Sequence, residues 1–184
     1  MEERLRERAF IDPVISELRD DAELSEPLRR AALRHALWHE QTLCNVHVDV
    51  WEVVKRDDHT MDEYRDASRM ARLICHHEAN YHVYQTTLGM ALYRVGDYEQ
   101  ALAVFERSRE LAREPDPYNH AYAALAHHHL GQAEAARAAL TRLRDIVAVP
   151  PYRLYGGLQD LLQRVETLID PGVESDDADQ EIEP

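Results

Sequence analysis

Leu88-Gly89-Met90-Ala91-Leu92-Tyr93-Arg94-Val95-Gly96-Asp97-Tyr98-Glu99-Gln100-Ala101 matches Ala123-Ala124-Leu125-Ala126-His127-His128-His129-Leu130-Gly131-Gln132-Ala133-Glu134-Ala135-Ala136 when the chain is slid along itself by 35 residues. Gly96 and Gly131 set that offset, and Pro115 and Pro150, which close the two segments, keep it. Small and apolar residues stand at helical spacing on both sides of each glycine, so each segment reads as helix, turn, helix. The glycine supplies the positive φ on which the first helix ends. One such hairpin cannot bury its apolar face alone. A period of about 34 residues therefore predicts stacked units in an α–α superhelix, an all-α solenoid.

Outward from these two units, glycine and proline fall only at breaks, and no segment alternates with period 2. Residues 1–40 read as an N-terminal helical extension, with Asp12-Pro13 as one helix start and Ser25-Glu26-Pro27 as another. The array covers 41–150: a degenerate unit at 41–78 and clear units at 82–115 and 117–150. In the degenerate unit a helix over about 41–55 is followed by Asp57-Asp58-His59. Thr60-Met61-Asp62-Glu63 then forms a capping box before Ala67, Ala71 and Ile74. Its turn reads as carrying an insertion of about seven residues. Leu158, Leu161, Leu162, Val165 and Leu168 give 151–171 one apolar face, as expected of a helix that caps the last repeat. Residues 172–184, with Glu174, Asp176, Asp177, Asp179, Glu181 and Glu183, read as a disordered acidic tail.

The units at 82–115 and 117–150 resemble the tetratricopeptide repeat family. Leu88-Gly89 fits its Leu-Gly pair, Gly96-Asp97-Tyr98 its interhelical turn, and Ala101, Phe105 and Ser108 its small, aromatic, small series. Ala124, Gly131, Ala136, Leu140 and Leu143 keep that logic in the second unit. The resemblance implies that Gly89 and Ala101 face each other at a close crossing and that Phe105 fills space toward the following repeat. It also implies a binding surface. A wider similarity covers Leu18 to Arg30, Tyr81 to Leu92 and Ala124 to His128. These resemble regions around such repeats in large planctomycete-type bacterial proteins that join a serine/threonine kinase to WD-type repeats. The kinase motifs themselves are not in this chain.

Composition narrows the function classes. The chain has 184 residues, 45% of them apolar, and a formal net charge of -14, which repels phosphate backbones. Nucleic acid is therefore not an expected partner. No apolar run reaches the ~20 residues that span a bilayer, and MEERLRERAF lacks the apolar stretch of a leader. The expectation is a cytoplasmic protein, without a membrane partner, that is a monomer or weak homodimer. Cys44 and Cys75 are too few for a disulfide framework and read as small buried hydrophobes.

Eleven histidines raise a metal reading. His35 and His39 stand one helical turn apart with Glu40 adjacent, and His76-His77 with His82 flank a junction. Three consecutive residues of His127-His128-His129 spread over roughly 200° of a helix, so one ion cannot take all three. No second ligand pair has a spacing that demands a site, so packing and groove lining account for these residues better. Nucleophile elbow, HExxH and P-loop motifs are not found, which leaves no catalytic set, no cofactor and no metal to assign.

By phase, the groove of the implied array takes Asn45, Asp49 and Glu52 from the degenerate unit and Val83, Thr86, Met90, Tyr93 and Arg94 from the first clear one. Tyr118, Ala121, Leu125, His128 and His129 come from the second. Tyr, Met, Arg and His are effective contact residues. With Arg94 as the one cation, a basic clamp for an acidic C-terminus is not reproduced. The expected function is a non-enzymatic adaptor or scaffold for a protein or peptide. The alternatives are an accessory domain of a bacterial serine/threonine kinase system and a histidine-metal protein or enzyme.

Overall fold

Both glycine turns take the backbone conformation that requires the missing side chain: Gly96 has φ of 84° and Gly131 of 71°. They belong to a computed structural model that describes residues 25–27, 29 and 43–171. Within these lie seven α-helices, a short 3₁₀ turn at Tyr152–Leu154, and no strand among the described residues. In chain order the helices are α1 (Leu43–Val54), α2 (Met61–His77), α3 (His82–Arg94), α4 (Tyr98–Leu111), α5 (Pro117–His129), α6 (Ala133–Val147) and α7 (Gly156–Ile169). The all-α expectation is met. The chain forms two compact units divided after Leu111, the first holding α1–α4 and the second α5–α7.

At each turn the same two hydrogen bonds close the helix. Gly96 N–H donates to Tyr93 O at 3.0 Å and Asp97 N–H to Leu92 O at 3.0 Å. Gly131 N–H donates to His128 O at 3.0 Å and Gln132 N–H to His127 O at 2.9 Å. This is the Schellman arrangement, which satisfies carbonyls that the helix end leaves over. Helix starts coincide at the same displacement: α3 and α5 begin at His82 and Pro117, α4 and α6 at Tyr98 and Ala133. Asp116 strengthens the second start, its carboxylate accepting from Tyr118 N–H at 2.9 Å.

In the first unit α3 packs on α1, α2 and α4. Its crossing with α4 is close because Gly89 has no side chain. A Cβ built there meets Phe105 Cε1 at 2.4 Å, so the Phe105 ring is seated on the Gly89 backbone. The ring thereby closes the α3–α4 hairpin. Ala101 is fully buried beside it in α4. Thr86 and Ser108, both buried, are joined through their hydroxyls at 2.9 Å, and Ser108 Oγ also donates to His82 O at 2.9 Å. Residue 82 thus pairs with 108 and 89 with 105, the mark of antiparallel helices.

The expected capping box is present. Thr60 Oγ1 accepts from Glu63 N–H and the Glu63 carboxylate accepts from Thr60 N–H. The α1–α2 connection, residues 55–60, has three residues more than either glycine turn, so the expected insertion of about seven is too long. Ala67, Ala71 and Ile74 are buried in α2 as anticipated. Ser25 begins a helical turn as expected, with Arg29 N–H donating to Ser25 O at 2.9 Å. The rest of the 1–40 extension and the 172–184 tail lie outside the described residues.

In the second unit α7 packs on both α5 and α6. It buries Leu158, Leu161, Val165 and Ile169, while Leu168 is exposed. Ile169 takes the place expected of Leu168 because it stands four residues beyond Val165, on the same face. Arg144 Nε on α6 donates to Glu166 Oε1 on α7 at 2.6 Å. No helix of the described residues is long and apolar enough to cross a membrane.

Gly89→Ala is expected to cost about 1–3 kcal/mol in urea unfolding, because the seated ring must be displaced from a filled core. Phe105→Leu in the Gly89→Ala background should recover part of that loss, whereas Phe105→Leu alone should destabilise. Additive effects of the two changes would place the ring elsewhere. Gly96→Ala should cost about 1–2 kcal/mol from backbone strain alone, since nothing lies within 4 Å of the added methyl.

Candidate functional site

The first helix of each hairpin supplies most of the residues that the sequence assigns to a binding groove. Both helices are more enclosed than that assignment requires. Every residue of α3 from Tyr84 to Leu92 is buried, and every residue of α5 from Asn119 to Ala126. Thr86 (1%), Met90 (0%), Ala121 (0%) and Leu125 (3%) therefore offer no surface to a ligand and are corrected to core positions. The cause is the number of neighbours: α3 lies against three helices and α5 against two of its own unit. A helix enclosed on several sides loses the open face that a 3.6-residue phase count presupposes.

The remaining assigned positions fall into two groups, one per unit. In the first, Asp49 and Glu52 are exposed on α1, and Glu52 accepts from Lys55 Nζ at 2.5 Å. Asn45 lies in α1, with its side chain outside the described residues. Val83 is half-buried and its carbonyl accepts from Thr87 Oγ1. Tyr93 is half-buried with its ring 5.5 Å from that of Tyr98. In the second unit Tyr118 is half-buried, and His128 and His129 are exposed with ring centroids 5.9 Å apart. Burial, and then the neighbouring His128, lower the His129 pKa below 6.5.

Arg94 has a structural task. Its Nε donates to Val54 O at 2.8 Å, and its guanidinium lies 5.4 Å from the centre of the Tyr64 ring. The α1–α2 connection contains no glycine, so α1 cannot end in the manner of α3 or α5. Arg94 supplies a donor to its last turn instead, and Tyr64 Oη donates to Arg56 O at 2.9 Å in the same corner. The cation assigned to the groove is thus engaged inside the first unit.

Five residues that phase counting overlooked, His47, Trp51, Tyr81, Tyr84 and Thr87, lie along the contact of α1 with α3. His47 Nε2 lies 2.7 Å from Thr87 Oγ1, which lies 3.1 Å from Val83 O. The His47 ring centre is 4.8 Å from that of Tyr84 and 6.5 Å from that of Trp51, and Tyr81 stands edge-on to Tyr84 at 4.6 Å. The result is a row of rings along the α1–α3 seam, ending at the exposed Tyr81. His47 and Trp51, four residues apart in α1, were the available signal. The cross-helix partner 40 residues away carried none.

The histidine and cysteine candidates differ in what they can do. No group of three potential ligands is positioned to hold a metal ion among the described residues. His35, His39 and Glu40 lie outside them. The Cys75 thiol is buried and its pKa is pushed up to about 12, so it stays protonated and non-nucleophilic near neutrality. Cys44 lies in α1 with its side chain outside the described residues. No family model, curated protein or solved structure matches the chain.

Arg94→Met should remove the donor at Val54 O while keeping much of the packed stem, and cost about 1–3 kcal/mol in urea unfolding. Tyr93→Ala should cost less than Arg94→Met if its ring serves contact with a partner. The reverse order would make Tyr93 a core residue.

Proposed function

We propose that this chain is a short tetratricopeptide-type helical-repeat protein that acts as a non-enzymatic adaptor for a protein or peptide partner. One observation carries the reading. Two hairpins have helix starts, glycine conformations and turn hydrogen bonds that coincide at one 35-residue displacement. Proteins built from such units use side chains on successive hairpins as recognition surfaces and place chemistry elsewhere.

The accessible members of the assigned set are the ones to carry contact: Asp49, Glu52 and Tyr93 in the first unit, and Tyr118, His128 and His129 in the second. Half-buried tyrosines suit this role, because a ring already held on one side by its neighbours loses little freedom on binding. The buried members, Thr86, Met90, Ala121 and Leu125, support the backbone on which those side chains stand. Arg94 is withdrawn from the contact set because it is occupied at Val54.

Affinity capture with the full chain, followed by calorimetry with the isolated partner, tests the proposal. Tyr93→Ala and Tyr118→Ala should each weaken binding about tenfold, equivalent to ~1.4 kcal/mol, at unchanged helicity. A chelator should leave affinity unchanged. Undiminished binding by both variants, or binding abolished by the chelator, would overturn the reading.

A further inference from the structure

Ala148 to Gly157 lead from the end of α6 into the start of α7, and all of them but Tyr152 are exposed. Leu154 (80%), Tyr155 (60%) and Val149 (53%) are the most exposed large apolar side chains among the described residues. We propose that this connection is where the chain meets a second copy of itself, as a weak homodimer about a two-fold axis.

The connection is suited to burial because much of its backbone is satisfied from within. Val149 N–H donates to Ile146 O at 3.4 Å, and Arg153 N–H to Val149 O at 3.3 Å. Leu154 N–H donates to Pro151 O and Tyr155 N–H to Tyr152 O, both at 3.1 Å. Pro150 and Pro151 have no N–H to satisfy, and the Arg153 carbonyl accepts from Gln159 Nε2 at 3.4 Å. Covering Leu154 and Tyr155 therefore removes apolar area from water without orphaning these donors. The 3₁₀ turn at Tyr152–Leu154 packs on both α6 and α7, so the side chains stand on a fixed base.

Charge selects the occupant. From Ile146 to Gln159 the one charged residue is Arg153, in a chain of net charge -14. Two copies that approach through acidic surfaces repel each other, whereas this surface meets its own copy without that cost. Asp145 and Asp160, both exposed, flank the stretch. A two-fold axis near Leu154 stacks the apolar side chains of the two copies. It also lets Arg153 of each copy approach a carboxylate of the other, as a self-complementary contact requires. An anionic lipid surface, by contrast, is repelled by the net charge of the chain. The stretch is shorter than the ~20–30 residues a side of a standard stable interface, so the Kd is on the order of 100 μM.

The dimer does not depend on any other partner, so the full chain alone tests it. Sedimentation equilibrium from ~10 μM to ~1 mM should show a reversible monomer–dimer transition. Leu154→Asp, at a side chain outside the core, should keep the helicity and raise Kd about tenfold or more. In wild-type NMR spectra, backbone amides from 148 to 157 should shift with concentration while those of α3 and α4 stay fixed. A monomer throughout that range, or a dimer that Leu154→Asp leaves intact, would overturn the proposal. Should the variant misfold, the wild-type dilution series decides, and shifts that spare 148–157 remove the proposal. A monomer that binds phosphatidylcholine vesicles through Leu154 would also overturn it and assign the patch to a lipid surface.

Discussion

The Phe105 ring rests on the backbone of Gly89, and the first hairpin takes its form from that contact. The ring needs a seat in which no Cβ stands, and Gly89 provides it in the middle of α3. A glycine inside a helix costs roughly 1 kcal/mol relative to alanine. Burying a phenylalanine completely offsets this, being worth about 1.5–3 kcal/mol in area alone. With the helices this close, Ala101 and the Thr86–Ser108 pair fit between them, and the three-residue turn at Gly96 spans the gap.

The second hairpin meets the same constraint with different side chains. The positions corresponding to Gly89 and Phe105 are Ala124 and Leu140, both buried, so a methyl is added on one helix while a ring shrinks on the other. Thr86 and Ser108 correspond to Ala121 and Leu143, also buried. A hydroxyl pair that satisfies itself is replaced by an apolar pair that needs no partner. In both exchanges total bulk changes little and no polar group is orphaned, which is the condition for keeping a core filled.

Local rules made the hairpins and caps legible. Gly96, Gly131 and the Thr60–Glu63 box announce themselves within four or five residues, because the atoms they satisfy are close in sequence. The groove was less legible. Phase counting assigns one face of α3 to solvent, and burial of every residue from Tyr84 to Leu92 removes most of that face. Arg94 and His47 were misread or missed for another reason. Their partners, Val54 O and Thr87 Oγ1, are 40 residues away, and one of the two is a backbone atom with no side-chain signature. The longer, glycine-free α1–α2 connection hinted that α1 must end differently from α3 and α5, without naming the residue that ends it.

The seat of Phe105 is the claim most open to direct observation. In a NOESY spectrum of the isotope-labelled protein, the account predicts strong cross-peaks from the Gly89 Hα protons to the Phe105 ring protons. It also predicts an upfield ring-current shift of at least one of those Hα resonances. Gly89 Hα protons at ordinary shifts, with Phe105 ring cross-peaks going only to residues outside α3, would contradict it.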